Sequence, residues 1–380
     1  MLSVSHVYDQ LRASGVSFFT GVPDSLLKDF CAYVTDHSGP GEHIIAANEG
    51  GAVALGAGHY LATGELALVY MQNSGFGNAV NPLLSLADPE IYGIPMVVLV
   101  GWRGEPGRKD EPQHLKQGRV MERLLEALEL PYSVLEAGLT DPEDALASAC
   151  DNARARGGPF VLLAKSDTFT RYELQTHKRT EFPLDREAAL QLIVGELEER
   201  HVVVCTTGKA SRELFEYRLS RGEGHSRDFL TVGSMGHASL IALGVALRRP
   251  ECPVYCLDGD GAVLMHMGAL PIIGTEAGSN FKHIVLNNGS HDSVGGQPTV
   301  GWDIDLPAIA KASGYRLAVR AETSADILQG LDALERADGP SLLEVRVNQG
   351  ARADLGRPTS TPVENRDGLI EFLRTQGAGR

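Results

Sequence analysis

The strongest signal in the sequence lies in Leu257-Asp258-Gly259-Asp260-Gly261-Ala262 and in Leu286-Asn287-Asn288-Gly289-Ser290, each at the end of a short apolar run. Glycines beside an aspartate at the end of a strand let backbone N–H groups approach phosphate oxygens, and they leave the carboxylate free to face a hard cation. The second stretch adds a carboxamide and an exposed backbone carbonyl, which completes a set of oxygen ligands. Either stretch alone could be an ordinary turn at the end of a strand. The two together predict a site at which Mg²⁺ binds both the protein and a diphosphate.

The rest of the chain predicts two α/β domains. Short apolar runs, typical of buried strands, alternate with amphipathic or Gly/Ala-rich helical stretches. The runs that we interpret as strands are 16–20, 44–47, 66–71, 96–100, 160–164, 202–205, 254–257, 283–286 and 341–347. The polar, aperiodic segment 173–185 is interpreted as a linker. We therefore expect one domain over 1–172 and another over 186–380, each a doubly wound parallel sheet.

Composition and charge exclude several classes of protein. The chain has 380 residues, of which 43% are hydrophobic and 22% charged, and these fractions are ordinary for a globular protein. It carries 34 basic and 49 acidic residues, a net charge of −15, without a run rich in lysine or arginine. An acidic surface repels phosphate backbones. We therefore expect no nucleic-acid partner, and an anionic ligand would need a local metal ion, helix N-terminus or placed cation.

The sequence also carries signals about location. The N-terminal MLSVSHVYDQLRASG has neither the basic and apolar segments nor the cleavage site of a secretory signal, and the apolar runs are too short to cross a bilayer. Five scattered cysteines without CxxC spacing predict buried, reduced thiols. We therefore expect a cytoplasmic protein with no membrane partner.

The GDG at 259–261 and the NN at 287–288 resemble the thiamine diphosphate fingerprint. Five further segments are similar to the phosphonopyruvate decarboxylases, a family that depends on this cofactor: GVPDSL (21–26), QNSGFGN (72–78), DEPQH (110–114), GGQPT (295–299) and DLGRP (354–358). The resemblance covers nearly the whole chain, and less closely it extends to the sulfopyruvate decarboxylases. It implies the thiamine diphosphate-binding fold, with a pyrimidine-binding domain, a diphosphate-binding domain and no middle domain.

This resemblance also implies which residues hold the cofactor. Asp260, the side chain of Asn288 and the backbone carbonyl of Ser290 would bind Mg²⁺, and the cation would anchor the diphosphate. Met235 would separate the two cofactor rings, although methionine is also a common filler of apolar cores. The remaining cofactor-binding positions are Thr207, Gly208, Gly233, Ser234, Gly259, Gly261 and Ala262.

Glu49 resembles the glutamate that activates the cofactor in this family. It follows an apolar run and opens a helical stretch rich in small residues, where an acid favoured by the helix dipole is the alternative. In the family, a carboxylate bonded to the aminopyrimidine ring drives the proton shift that catalysis needs. Glu49 and Asp260 lie in different predicted domains, and the family joins domains of different subunits at each site. The resemblance therefore implies at least a homodimer.

For the reaction, the resemblance implies decarboxylation of 3-phosphonopyruvate to phosphonoacetaldehyde, within the biosynthesis of phosphonate natural products. Larger homologous decarboxylases carry a glutamate close to the position of Val294, so we expect His114 to transfer protons here, ahead of His266 and His291. A phosphonate dianion needs placed cations. The residues that we expect at the substrate are Asp24, Ser25, Asn73, Asn78, Lys209 and Arg212, with Arg103, Lys116 and Arg357 as further candidates.

Other interpretations of these residues remain open. Asp24 is equally suited to cap a helix that starts at Ser25, and single lysines and arginines are commonly solvated surface charges. Sulfopyruvate has the same carbon skeleton as phosphonopyruvate, so the sequence does not separate the two substrates. A non-catalytic cofactor-binding module would not strictly need Glu49. A nicotinamide-dependent oxidoreductase would need a GxGxxG turn, and none follows a predicted strand.

Overall fold

The computed structural model describes residues 1–176 and 180–377, which form two compact units. The first unit contains the described residues up to 176 together with 294–297, and the second contains the other described residues from 180 onward. The boundaries that the sequence indicates at 172 and 186 stay a prediction, and positions 177–179 of the expected linker lie outside the described residues.

The first unit is a parallel sheet with helices on both faces. Its strands are β1 (Val16–Gly21), β2 (His43–Ile45), β3 (Leu66–Gln72), β4 (Met96–Gly101), β5 (Tyr132–Leu135) and β6 (Pro159–Ala164). Its helices are α1 (Val4–Ala13), α2 (Lys28–His37), α3 (Glu49–Thr63), α4 (Phe76–Pro82), α5 (Pro112–Ala127) and α6 (Pro142–Arg156), with a π-helical turn at Leu83–Ala87. The strand order is β2-β1-β3-β4-β6-β5, and all neighbours are parallel.

The second unit repeats this architecture. Its strands are β7 (Val202–Cys205), β8 (Asp228–Leu230), β9 (Val254–Gly259), β10 (Phe281–Asn287), β11 (Leu317–Ala321) and β12 (Ser341–Arg346). Its helices are α7 (Arg186–Gly195), α8 (Lys209–Ser220), α9 (Ala238–Arg248), α10 (Asp260–Met265), α11 (Ala269–Glu276), α12 (Leu306–Ala312), α13 (Ser324–Arg336) and α14 (Pro362–Gly377), and a 3₁₀ turn, Asp292–Val294, follows β10. The order β11-β12-β10-β9-β7-β8, read from the β8 edge, matches the first sheet strand for strand.

Each sheet is buried on both faces. Successive side chains of a strand point to opposite faces, so each strand contributes to two apolar clusters. In β3, Leu68 and Tyr70 belong to one apolar cluster, whereas Val69 and Met71 belong to the cluster on the other face. The second sheet is likewise covered by two clusters. The predicted fold class, two doubly wound parallel sheets, is confirmed, and no middle domain occurs within 1–176 and 180–377.

Strand order also indicates where a ligand binds. In the first unit the chain passes from β1 outward to β2 and then returns to the other side of β1 as β3. The second unit does the same with β7, β8 and β9. Doubly wound sheets bind ligands beyond the C-terminal ends of the strands at such a reversal. Within the described ranges, no helix is both long enough and apolar enough to cross a bilayer.

Candidate active site

The C-terminal ends of β7, β9 and β10 gather the predicted cofactor residues of the second unit. β9 and β10 are direct neighbours, with Leu286 opposite Gly259, so Asp260 and Asn288 follow adjacent strand ends. Thr207 and Gly208 follow β7, which lies on the other side of β9. Gly208 caps α8 with a φ of 100°, a conformation that favours glycine. The strand reversal and the predicted diphosphate loops therefore coincide.

Asp260 is a buried carboxyl group at the start of α10. The Thr299 hydroxyl donates a hydrogen bond to its Oδ2, and a Cβ on Gly301 would lie 2.6 Å from the same oxygen. Burial raises the pKa of Asp260 to about 7, more than its hydrogen bonds lower it. A bound divalent cation would offset this desolvation and favour the ionised form. The carboxyl group therefore fits a cation ligand.

The two adjacent asparagines have different surroundings. Asn287 is fully buried, and its Nδ2 donates to the Gly301 carbonyl and to Glu344 Oε1, both at 2.7 Å. Asn288 has other partners: its Nδ2 donates to Asp292 Oδ2 at 2.8 Å, and its Oδ1 accepts a hydrogen bond from the Ser290 backbone N–H, 3.1 Å away. Carboxylate, carboxamide and backbone carbonyl oxygens are ligands for a hard cation such as Mg²⁺. The side chain of Asn287 is thus hydrogen-bonded within the protein core. Asn288, together with Asp260 and the Ser290 carbonyl, offers the oxygen ligands that fit a divalent cation.

Met235 and two histidines flank α10. A Cβ on Gly261 would lie 3.4 Å from Met235 Cε and 3.1 Å from His291 Cε1, so both side chains pack against this glycine. A Cβ on Gly236 would lie 2.6 Å from the ring of His266. Burial lowers the pKa of His291 to about 4 and also lowers that of His266, which favours the neutral form of both rings. Helix α9 begins at Ala238, with His237 as its N-cap.

In the first unit, Glu49 is the first residue of α3 and is 4% exposed. Its Oε2 accepts a hydrogen bond of 2.8 Å from Asn78 Nδ2, and a Cβ on Gly75 would overlap its carboxylate. Burial raises the pKa of Glu49, and the Asn78 hydrogen bond opposes this rise. Asn78, which we expected at the substrate, therefore orients the carboxylate of Glu49.

Three of the expected substrate residues lie together around Arg103. Arg103 follows β4, and its Nη1 donates to Ser25 Oγ at 2.7 Å. Asn73, after β3, donates from Nδ2 to the Arg103 carbonyl at 2.8 Å. Asp110 forms an ion pair with the guanidinium. From the sequence Arg103 was named only among the further candidate cations; its place two residues after the buried strand β4 is the signal that could have ranked it higher.

Asp24 completes this cluster as a fully buried carboxyl group. Burial raises the pKa of Asp24 to about 6, while the positive charge of Arg103 opposes the rise. Its Oδ2 accepts a hydrogen bond from the Leu26 N–H at 3.1 Å within a turn, and α2 begins only at Lys28. The alternative interpretation of Asp24 as the cap of a helix starting at Ser25 is therefore wrong, because the turn delays the helix.

The remaining candidates lie on the helices α5 and α8. His114 is in the first turn of α5 and is half-buried. Lys209 opens α8, and burial lowers its pKa. The Arg212 guanidinium donates to the carbonyls of Gly356, at 2.5 Å, and of Leu355, so it holds the DLGRP segment. Arg186 bonds to Glu213 and Asp292, and Thr299 bonds to Asp260. These three residues, Asp292, Arg186 and Thr299, could not be assigned a role from the sequence, because charge pairs and hydroxyl contacts between distant segments leave no local pattern.

Comparison with known proteins agrees with this geometry. Residues 3–123 match the N-terminal TPP-binding domain of thiamine pyrophosphate enzymes, and residues 206–345 match their C-terminal TPP-binding domain. A phosphonopyruvate decarboxylase of Streptomyces viridochromogenes is 38% identical, over 100% of this chain and 97% of the relative. The chain belongs to the phosphonopyruvate decarboxylase family of thiamine pyrophosphate enzymes. The resemblance drawn from the sequence is thereby confirmed, and this family consists of carboxy-lyases.

Two further relatives bear on specificity. A second member of the phosphonopyruvate decarboxylase family, from Streptomyces hygroscopicus, is 38% identical over 98% of this chain and 94% of its own length. A sulfopyruvate decarboxylase of Methanosarcina acetivorans is 27% identical over 90% of this chain and 91% of the relative. Both comparisons cover at least 90% of this chain and of the relative.

Proposed function

We propose that this protein decarboxylates 3-phosphonopyruvate to phosphonoacetaldehyde and CO₂, with thiamine diphosphate and Mg²⁺ as cofactors. The observation that carries the proposal is the 38% full-length identity with two phosphonopyruvate decarboxylases, against 27% with the sulfopyruvate decarboxylase. The buried Glu49 supports a catalytic role over a mere cofactor-binding module, because holding the cofactor does not strictly require that carboxylate.

The residues of this chain would divide the work between them. Bound thiamine diphosphate supplies a carbon nucleophile and accepts the electrons released with CO₂. In our proposal Asp260, Asn288 and the Ser290 carbonyl would hold Mg²⁺, and Glu49 would exchange a proton with the aminopyrimidine ring. A raised pKa suits Glu49 to this exchange near neutral pH, because an acid–base group works best with a pKa near the operating pH.

The substrate also needs residues that receive its charge and a proton. We propose Arg103 as a cation for the phosphonate, in addition to Lys209 and Arg212. Its guanidinium donates a hydrogen bond to Ser25 and its carbonyl accepts one from Asn73, and both residues are expected at the substrate. His114 is the proposed proton carrier. His266 and His291 are less suited to donate a proton, since burial lowers their pKa.

Assembly, location and pathway belong to the same proposal. We infer a homodimer or larger assembly in which the first unit of one copy completes the site on the second unit of another. A cytoplasmic location is supported by five cysteines that are all buried and free. Loss of CO₂ is irreversible, so the reaction is suited to pull an unfavourable P–C bond-forming step forward in phosphonate biosynthesis.

Substrate competition tests the proposal. Purified protein with thiamine diphosphate and Mg²⁺ is given 3-phosphonopyruvate or 3-sulfopyruvate, with CO₂ release measured for both and phosphorus NMR used to identify phosphonoacetaldehyde. We expect kcat/KM to favour the phosphonate by at least about tenfold. A preference for 3-sulfopyruvate would show that the proposed substrate is wrong. Cofactor binding without turnover of either acid would favour a non-catalytic binding module.

A further inference from the structure

We propose that Asp292, fixed by Arg186, is a positioning residue that orients the carboxamide of Asn288 toward the bound cation. The inference rests on the proposed function, because it assumes that Asn288 is a metal ligand. Three hydrogen-bond donors converge on Asp292 Oδ2: Asn288 Nδ2 at 2.8 Å, Arg186 Nη1 at 2.7 Å and the Gly350 N–H at 3.0 Å. An ionised carboxylate only accepts hydrogen bonds, so Asp292 fixes which side of the amide carries the NH₂ group.

The other side of the amide is fixed independently. The Ser290 N–H donates to Asn288 Oδ1 at 3.1 Å, so this atom must be the oxygen. A side-chain amide without such partners presents oxygen and NH₂ about equally well, and only the oxygen can bind a cation. With a carboxylate on one side and an N–H on the other, a single orientation remains. The carboxamide oxygen is therefore directed away from Asp292 before any metal binds.

Arg186 keeps Asp292 in place. The Arg186 side chain is 7% exposed, and its guanidinium also binds Glu213 through two hydrogen bonds, Nε to Oε2 at 3.0 Å and Nη2 to Oε1 at 2.7 Å. A bidentate arginine–carboxylate pair is geometrically rigid. Arg186 is also the first residue of α7, where Asp185 caps the helix. Because Arg186 on α7 is held by Glu213 on α8, its guanidinium restricts the position of the Asp292 carboxylate.

The same arrangement occurs at the neighbouring asparagine. Asn287 Nδ2 donates to Glu344 Oε1 at 2.7 Å, and Arg320 Nε donates to Glu344 Oε2 at 2.6 Å. In both cases an arginine donates to a carboxylate, and the same carboxylate accepts a hydrogen bond from an asparagine amide. Asn287 differs in being enclosed in the core. Outer contacts of this kind orient metal ligands, and their loss typically weakens metal affinity about 10–100-fold.

A metal titration tests the inference on the full-length protein. Mn²⁺ binding is followed by electron paramagnetic resonance in the presence of thiamine diphosphate, for wild type and for Asp292→Asn, Asp292→Glu and Arg186→Lys. We expect Asp292→Asn to raise the dissociation constant for Mn²⁺ about 10–100-fold, because the new amide no longer selects the orientation of Asn288. Asp292→Glu restores an acceptor and recovers most of the affinity. Arg186→Lys gives an intermediate value.

The controls separate positioning from folding. Asp338→Asn breaks an exposed pair with Arg316 in the same unit and should leave Mn²⁺ binding unchanged. Melting temperatures without metal report structural damage, and Arg186→Lys decides the question if Asp292→Asn does not fold. The proposal is overturned if the dissociation constant of Asp292→Asn for Mn²⁺ is within about twofold of the wild-type value, because the expected loss of affinity is at least about tenfold. It is also overturned if Asp292→Glu is as weak as Asp292→Asn.

The outcome for the proposed function is distinct. A wild-type protein that binds Mn²⁺ and the cofactor but converts neither oxo acid overturns the proposed function and leaves the positioning of Asn288 testable by the same titration. Absence of Mn²⁺ binding by the wild-type protein with its cofactor overturns both.

Discussion

At the scale of single residues, the candidate functional residues of both units include acids that the protein removes from water. Burial raises the pKa of Glu49, and it raises the pKa values of Asp24 and Asp260 to about 6 and about 7. Perturbed acids gather at functional sites because catalysis and metal binding need them. The sequence could name all three acids, but their pKa values follow from neighbours that only the folded chain supplies.

Replacing Glu49 tests the catalytic assignment. Glu49→Gln keeps the size of the side chain and a hydrogen-bond acceptor for Asn78, but it cannot exchange a proton. We expect the decarboxylation rate to fall about 10²–10⁴-fold, while calorimetry shows thiamine diphosphate still bound. Glu65→Gln, at an exposed position in the same unit, is the control. A Glu49→Gln rate near that of wild type would refute the mechanism.

The raised pKa of Asp260 predicts how stability depends on pH in metal-free protein. The folded pKa of about 7 exceeds the ordinary 3.8, so the group's contribution to stability is fully present below 3.8 and is lost as pH rises through about 7. Asp260→Asn resembles the neutral form at every pH. With a chelator present, its melting temperature relative to wild type should increase by a few degrees between pH 5 and pH 8. A constant difference would contradict the raised pKa.

At the scale of elements, the central strands could be predicted and most edge strands could not. Central strands such as β4 and β6 are buried on both faces and therefore read as continuous apolar runs. The strands β5, β8 and β11 escaped the sequence analysis, and each lies at the edge of its sheet. Their sequences, YSVL, DFL and LAVRA, are short or mix polar with apolar residues, and their side chains are less completely buried than those of β4 and β6, so no continuous apolar run marks them.

A buried ion pair joins two elements of the second unit and gives a stability prediction. Arg218 on α8 and Asp228 at the start of β8 have fully buried side chains and form two hydrogen bonds of 3.0 Å. Arg218→Ala leaves the carboxylate of Asp228 buried without its partner. We expect the free energy of unfolding, measured with urea, to fall by about 3–5 kcal/mol. Arg221→Ala, on the exposed side of the same region, should have little effect, and equal losses would contradict the argument.

At the scale of the whole molecule, the two units share one strand order, and each exposes leucines on the helix after its second strand. On α3 these are Leu55 and Leu61, and on α9 they are Leu240 and Leu247. A surface depression of about 570 Å³ on the first unit is lined by apolar and small residues that include Leu55, Ala54 and Gly58. Such a surface is typical of a protein–protein contact, which supports the proposed homodimer.

Disrupting this surface tests the assembly. Leu55→Asp places a charge in the depression and should convert the dimer to monomer in sedimentation velocity runs, because a buried unpaired charge opposes association. Decarboxylation should fall in parallel, since each proposed site needs two copies. Leu328→Asp, at another exposed leucine on α13, is the matched control and should leave the dimer intact. A monomeric wild-type protein that is fully active would contradict the proposal.

By itself the sequence determined the class of fold, the family and the acids at the strand ends, because continuous apolar runs and glycine-flanked turns are local signals. Only the tertiary structure decided that Asn78 holds Glu49, that Arg103 lies beside Ser25, and that Asp292 fixes Asn288. The first two pairs join segments 29 and 78 residues apart, and Asp292 follows Asn288 by four residues but is held by the distant Arg186. A hydrogen bond depends on where folding brings two groups rather than on the residues next to them in the chain.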